Sequence, residues 1–358
     1  MEFVAGQDRK FFFLEMNTRL QVEHPVTEEV IGIDLVEQMI RVAAGEKLAF
    51  GQKDVKLNGW SVETRVYAED PYRHFLPSTG RLTKYRHPRE SGDPAKPRKL
   101  GSRLRGNDEV RVRIDDGVAE GGEVSMFYDP MIAKLITWAP TRDAAIDAQV
   151  AALDQFVVDG INDNMEFLSA LMQHPRFREG NLATDFIADE YPDGFAGAPA
   201  DKQLLSDLAL IAAKVQAISD EAAAENSDQL GGHIKLPSHR VVRIAGEDHR
   251  VRIRPYKGGT VAIIDRGHIV YLEGDWRPGQ NLLRVNVDGR ARIVQVRRAG
   301  RDWELQTRGA KHRVKVMSPH VANLARHMID KPPPDLSRFL IAPMPGLLTR
   351  LDVKAGDT

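Results

Sequence analysis

Residues 12–30 read FFLEMNTRLQVEHPVTEEV. From Glu15 every second residue is polar: Glu15, Asn17, Arg19, Gln21 and Glu23. Between them stand Leu14, Met16, Thr18, Leu20 and Val22, which are almost wholly apolar. In an extended chain alternate side chains point to opposite faces, so this period of two predicts one packed face and one exposed face. The exposed face then carries carboxylates, amides and a guanidinium in a row. That mixture suits the wall of a site holding a cation, an anion and a proton acceptor together. Upstream, residues 2–5 and 11–16 are strand candidates around the turn-rich GQDRK. A hairpin there places Glu2 near Glu15. Two carboxylates across a hairpin suit Mg²⁺ or Mn²⁺, which take oxygen ligands and share them with substrate phosphates. Asn17 can add a neutral oxygen. Arg19 can clamp a small planar anion in bidentate fashion. Gln21 adds a donor, and Glu23 is close enough in sequence to serve as a base.

The rest of the N-terminal part alternates helix and strand. Thr27 is expected to cap a short helix that Gly32 interrupts. Asp34, with Glu37 three positions on, has capping-box spacing before a second helix. Leu35, Met39 and Val42 form its stripe, expected to be core, and Gly45 ends it. In 59–71, Val62, Thr64 and Val66 share one parity and Glu63 and Arg65 the other, a strand with a charged face. Residues 88–108, rich in proline, glycine and charge, read as a solvated surface loop or insertion. Strands resume at VRVRI and MIAKLITWA. Ile146, Val150, Leu153 and Val157 mark one helix, and Met165, Leu168 and Leu171 another. YPDGFAGAPA, residues 191–200, is a linker signal.

Beyond it the pattern changes. Leu204, Leu208, Ile211, Val215 and Ile218 place residues 202–223 in one amphipathic helix. Short alternating segments follow, from HRVVRI to HRVKVM, separated by turns such as VDGR and RAGR. Even spacing of this kind predicts an antiparallel barrel or sandwich, with the helix plugging or flanking it. Trp276 and Trp303 read as core or rim packing. PPPDLSR, residues 332–338, is a stiff tether.

Composition narrows the functional classes. The chain has 358 residues, 42% apolar and 28% charged, and a net charge of -1. That is a folded protein of two or three domains, without the basic surface of a dedicated nucleic-acid binder. With no cysteine at all, thiolate nucleophiles, disulfides and thiolate-bound zinc are excluded. No apolar run reaches the ~20 residues of a membrane span. The expected setting is cytoplasmic, or the mitochondrial matrix in a eukaryote, with no nucleic-acid or membrane partner.

EMNTRLQVEHPVTE at 15–28 resembles the signature of the biotin carboxylase branch of the ATP-grasp enzymes. VETRVYAEDP at 62–71, LPSTGRL at 76–82 and YDPMIAKLITW at 128–138 continue the likeness in the same order. The stretch after residue 200 resembles a biotin transport domain, and APMPGLL at 342–348 the opening of a biotinyl carrier domain. Together these resemble the biotin-dependent acyl-CoA carboxylases. The resemblance implies an α+β fold: the C-terminal portion of a biotin carboxylase (1–199), a helix plus antiparallel β-barrel domain (200–331), a linker (332–340) and the truncated start of a biotinyl domain (341–358).

The resemblance also implies roles. Glu2, Glu15 and Asn17 hold the metal that bridges ATP phosphates. Arg19, Gln21 and the backbone of Val22 hold bicarbonate, and Glu23 takes its proton. Arg65 stabilises the oxygen of deprotonated biotin, which is carboxylated at N1. Apart from the resemblance, Glu63, two residues earlier on the same strand face, is expected to orient Arg65. The implied partners are a carboxyltransferase beta subunit in an alpha6-beta6 assembly and the biotinyl domain in cis. The expected acyl acceptor is propionyl-CoA, with methylcrotonyl-CoA as the alternative. The family's glycine-rich lid, its phosphate-facing lysines and its Met-Lys-Met biotin site have no counterpart in 1–358. This stretch by itself is therefore expected to be inactive, and the competing reading is a non-catalytic module that docks a carboxyltransferase.

Overall fold

The computed structural model describes residues 1–6, 8–87, 98–99, 110–125, 127–228, 236–265, 267–328, 349–350 and 352. The tether at 332–338, APMPGLL and most of the 88–108 loop lie outside the described residues.

The chain opens in an antiparallel hairpin, Glu2–Ala5 with Phe11–Glu15, whose register sets Glu2 opposite Glu15. Phe3 meets Phe11 and Phe13 edge-on, at 5.7 and 5.9 Å. The expected single strand through Val22 with a packed face does not form. The strand ends at Glu15, and Leu14 and Met16 are 59% and 54% exposed. Pro25 sets the backbone for a helix at the first turn of His24–Ile31. Before it the chain already bends, as His24 N–H donates to the Gln21 carbonyl at 3.2 Å. Thr27 lies inside that helix and does not cap it. Gly32, at φ 71°, ends the helix in the left-handed conformation that favours glycine. Asp34 caps the next helix, Leu35–Ala43, by accepting from Glu37 N–H at 2.8 Å. Its stripe is not core: Met39 and Val42 are 51% and 53% exposed.

Strands Trp60–Tyr67, Met131–Ala139, Arg111–Asp116 and Arg98–Lys99 form an antiparallel sheet in that spatial order. Thr64, Val66, Leu135 and Ile114 share one buried face. Helix Arg142–Gln155, capped by Thr141, covers it. Gln149 stitches helix to sheet: its amide donates to Thr64 Oγ1 at 2.7 Å and the Leu135 carbonyl at 2.9 Å, and its oxygen accepts from Thr137 at 2.7 Å.

Eight strands between His239 and Met317 run up and down in sequence order and close, with Val241 opposite Met317. Closure removes both sheet edges. Helix Lys202–Asp228 plugs this barrel. Residues 208–215 are buried without a break, more than two turns and therefore every face of the helix. Trp276 and Trp303 are both buried and stack edge-to-face at 5.8 Å.

The barrel is locked onto the N-terminal part by Asp154, at the end of the 142–155 helix. Its carboxylate accepts from Arg308 N–H and from Thr307 Oγ1 at 3.2 Å. Gln295 donates to the Phe156 carbonyl at 2.8 Å. Gly309, at φ 72°, lets this turn press against helix Met165–Gln173: a Cβ there would meet the Glu166 carbonyl at 2.5 Å.

Two outcomes follow from the packing. Ile211→Ala, deep in the plug, should lower unfolding free energy by about 2–5 kcal/mol, read by urea denaturation. Burial pushes the Asp154 carboxyl up to about 7 in the folded protein, from an ordinary 3.8. The unfolded chain thus releases this proton first, so the stabilisation is complete at low pH and is lost as pH rises towards that value. Thermal melts should show a stability that declines from about pH 4 to about pH 7, with the slope reduced in Asp154→Asn.

Candidate active site

The sheet face opposite the 142–155 helix carries the chemistry. Arg65, Lys134 and Asp115 lie in one row across three strands, and Glu63, Ile136 and Arg113 in the next. Directly opposed like charges repel, so Arg65 beside Lys134 requires carboxylates nearby. They are present. Lys134 Nζ lies 3.3 Å from Asp115, and Arg113 grips Asp115 through two bonds of 2.8 and 3.0 Å. Burial opposes the charge on Arg113 and Asp115. Their pairing outweighs it, holding Arg113 above its ordinary range and Asp115 below. Glu63, with a side chain 7% exposed, lies 3.6 Å from Arg65 Nε, and burial raises its pKa against the pull of Lys134 and Arg65.

This charged face positions the 17–31 segment. Lys134 donates to the Val22 carbonyl at 3.1 Å. Arg113 donates to Glu28 at 2.6 Å, and the other oxygen of Glu28 accepts from Leu35 N–H at 2.6 Å. Arg111 donates to the Glu29 carbonyl at 2.9 Å and stacks 4.0 Å over Trp138. Arg65 reaches Glu23 at 3.0 Å. Beside this lies a groove of about 970 Å³, with Asn17, Arg19, Gln21 and Glu23 along one wall and Met39 and Val42 on the other. The exposed apolar stripe of the second helix is thus a groove wall. Arg19 donates to the adjacent Leu20 carbonyl at 3.2 Å.

At the hairpin end, Asn17 Nδ2 bridges the two carboxylates, donating to Glu2 at 2.6 Å and to Glu15 at 3.3 Å. The donor sits where a cation would be shared, and turning the amide over presents its oxygen instead. Two carboxylates and an amide oxygen fit Mg²⁺ or Mn²⁺ that keeps other positions for phosphate and water. Among the described residues no three Asp, Glu, His or Cys side chains converge as a self-sufficient metal cage.

The structure therefore groups Glu2, Glu15 and Asn17, sets Arg19 and Gln21 along the groove, and joins Glu23 to Arg65. Sequence reading missed Lys134, Asp115, Arg113 and Glu28. A signal was present: Lys134 is the lone charge in MIAKLITWA, and Arg113 and Asp115 share a parity in VRVRID.

Three family descriptions match: "Biotin carboxylase C-terminal domain" over residues 63–189, "Propionyl-coenzyme A carboxylase BT domain" over 208–331, and "Carbamoyl-phosphate synthase L chain, ATP binding domain" over 1–50. The propionyl-CoA carboxylase alpha chain of Ruegeria pomeroyi is 48% identical over 99% of this chain and 53% of its own length. The mitochondrial alpha chain of Mus musculus is 38% identical over 100% of this chain and 48% of its own. The mouse methylcrotonoyl-CoA carboxylase subunit alpha is 42% identical, but over 54% of this chain and 24% of its own length. The chain thus spans about half the length of the propionyl-CoA carboxylase relatives it matches. Among the described residues no helix is long and apolar enough to cross a membrane. With a biotin carboxylase C-terminal domain followed by the BT domain, and likeness along nearly its whole length, the chain belongs to the propionyl-CoA carboxylase alpha-chain family.

Proposed function

We propose that these residues form part of the site at which an acyl-CoA carboxylase alpha chain uses ATP and bicarbonate to carboxylate biotin. The observation that carries this reading is the Glu23–Arg65 pair, 3.0 Å apart, beside the groove that Arg19 and Gln21 line. A base and an oxyanion-stabilising guanidinium are in contact there, next to donors for a planar anion.

In this reading Glu2, Glu15 and Asn17 hold Mg²⁺ or Mn²⁺. When bound, the ion offsets charge on the ATP phosphates. Arg19, Gln21 and the Val22 backbone hold bicarbonate, and Lys134 steadies Val22 through its carbonyl. Glu23 accepts the bicarbonate proton, so that a bicarbonate oxygen attacks the γ-phosphorus and ADP leaves. The carboxyphosphate so formed splits into CO₂ and phosphate; biotin, when bound, would supply the nitrogen that takes up the CO₂, and the phosphate would take the proton that nitrogen loses. Arg65 faces the biotin oxygen that gains charge as that nitrogen loses its proton. Residues 1–199 would be the carboxylase portion, 332–340 a linker and 341–358 the start of a biotinyl domain. Residues 200–331 would dock a carboxyltransferase beta subunit, in an alpha6-beta6 assembly in the cytoplasm or the mitochondrial matrix. Propionyl-CoA is favoured over methylcrotonyl-CoA because the BT-domain match spans 208–331, and because the methylcrotonoyl-CoA relative covers 54% of the chain where the propionyl-CoA relative covers 99%.

In a chain extended to the length of these relatives, Glu23→Gln should reduce bicarbonate-dependent ATP cleavage roughly 10²–10⁴-fold while ATP binding is retained. Equal activity of mutant and parent would assign the proton to another group. Arg65→Ala should impair carboxyl transfer to biotin by a further factor of about 10²–10³ over its effect on phosphate release. Equal losses in both steps would mean that Arg65 shapes the whole pocket.

A further inference from the structure

Arg65 lies between two carboxylates in unlike surroundings. Glu23 is more than half exposed and accepts from Arg65 Nη2 at 3.0 Å. Glu63 is buried on the same strand face, with Oε1 3.6 Å from Arg65 Nε, just beyond hydrogen-bond reach. Its second oxygen is buried and accepts no hydrogen bond. Buried polar atoms are nearly always satisfied, so an orphan acceptor beside a guanidinium with N–H groups to spare marks an unmade contact. The neighbouring charges do not fill that place. Lys134, directly opposite Arg65, is committed to the Val22 carbonyl and to Asp115, and Asp115 is held by Arg113.

We propose that Glu63 is a positioning residue, a second dock that draws Arg65 off Glu23 so that Glu23 is free to accept a proton. This rests on the reading of Glu23 as base and Arg65 as its neighbour in the biotin carboxylase site. A base clamped by a guanidinium has lone pairs engaged and is a weaker acceptor. A carboxylate behind the arginine offers it an alternative partner without leaving its charge unpaired in a partly buried site. The move required is short, because both carboxylates already lie within 3.6 Å of the same guanidinium.

The first test uses this chain alone, labelled with ¹⁵N-arginine. Glu23→Gln should send Arg65 fully onto Glu63 and shift its Nε–Hε resonance. The shift should vanish in the Glu23→Gln/Glu63→Gln double variant. A resonance indifferent to both carboxylates overturns the proposal. The second test uses a chain of full relative length and follows bicarbonate-dependent ATP cleavage. Glu63→Gln should lower kcat about tenfold and leave KM for bicarbonate within about twofold. Glu63→Asp, which keeps the charge, should recover most of kcat. An unchanged kcat, a KM for bicarbonate that rises along with the fall in kcat, or no recovery in Glu63→Asp denies Glu63 the positioning role and overturns the proposal. If the parent shows no bicarbonate-stimulated cleavage, the functional reading fails, and the resonance test still decides whether Arg65 has two docks.

Discussion

The site depends on charge neutrality across one half-buried sheet face. Arg65 and Lys134 are directly opposed on adjacent strands, and Arg113 lies diagonally across. Cations in that position are tolerated only when each finds a partner, because a charge taken from water without one is strongly disfavoured. The partners come partly from the sheet, as Glu63 and Asp115, and partly from the segment above, as Glu23, Glu28 and the Val22 carbonyl. Neutralising the sheet is therefore the same act as laying down residues 22–31. The groove takes its shape from that placement, since Arg19, Gln21 and Glu23 precede the fixed helix by a few residues.

The barrel solves a different problem with the same logic. Its central helix is apolar all round over 208–215, apart from Lys214, and Asp207 lies just before that segment. Each charge is answered at the barrel wall. Asp207 takes Arg290 and Arg292, at 3.0 and 2.8 Å, and Lys214 donates to the Gly274 carbonyl at 2.7 Å. Sliding or rotating the helix by one residue would strand both groups without partners. The apolar faces alone specify burial, and the two charges add a register to it.

What was legible in the sequence follows the range of each signal. The Glu2–Glu15 register, the Asp34 cap, the parity of Glu63 and Arg65 and the eight barrel strands all arise from local chemistry or a short period, and a reader can see these without tertiary contacts. The strand expected through Val22 failed because alternation states only what an extended chain would do. Pro25 and the bonds of Val22, Glu23 and Glu28 to distant strands decide that the chain turns. Met39 and Val42 misled in the same way. A helical stripe shows that a face is apolar, and tertiary placement decides whether a core or a groove meets it. Lys134 was missed because its partners, Val22 and Asp115, are far off in sequence or on a neighbouring strand, and a lone lysine in an apolar run carries no motif.

The two halves of the chain share one structural member. Gln149, on the 142–155 helix, is bonded to Thr64 and to the Leu135 carbonyl, on the far face of the strands that carry Arg65 and Lys134. About one and a half turns on, Asp154 of the same helix holds the Thr307–Arg308 turn of the barrel, where only glycine at 309 allows the close approach to the Glu166 carbonyl. A helix bonded at its middle to the back of the site sheet and at its C-terminal end to a barrel turn fixes the distance between them. The barrel is thus seated against the N-terminal portion by named polar contacts, and any partner it carries would be held at a set orientation to the groove. The weak point of that seat is Asp154, a buried carboxylate whose charged form is the disfavoured one.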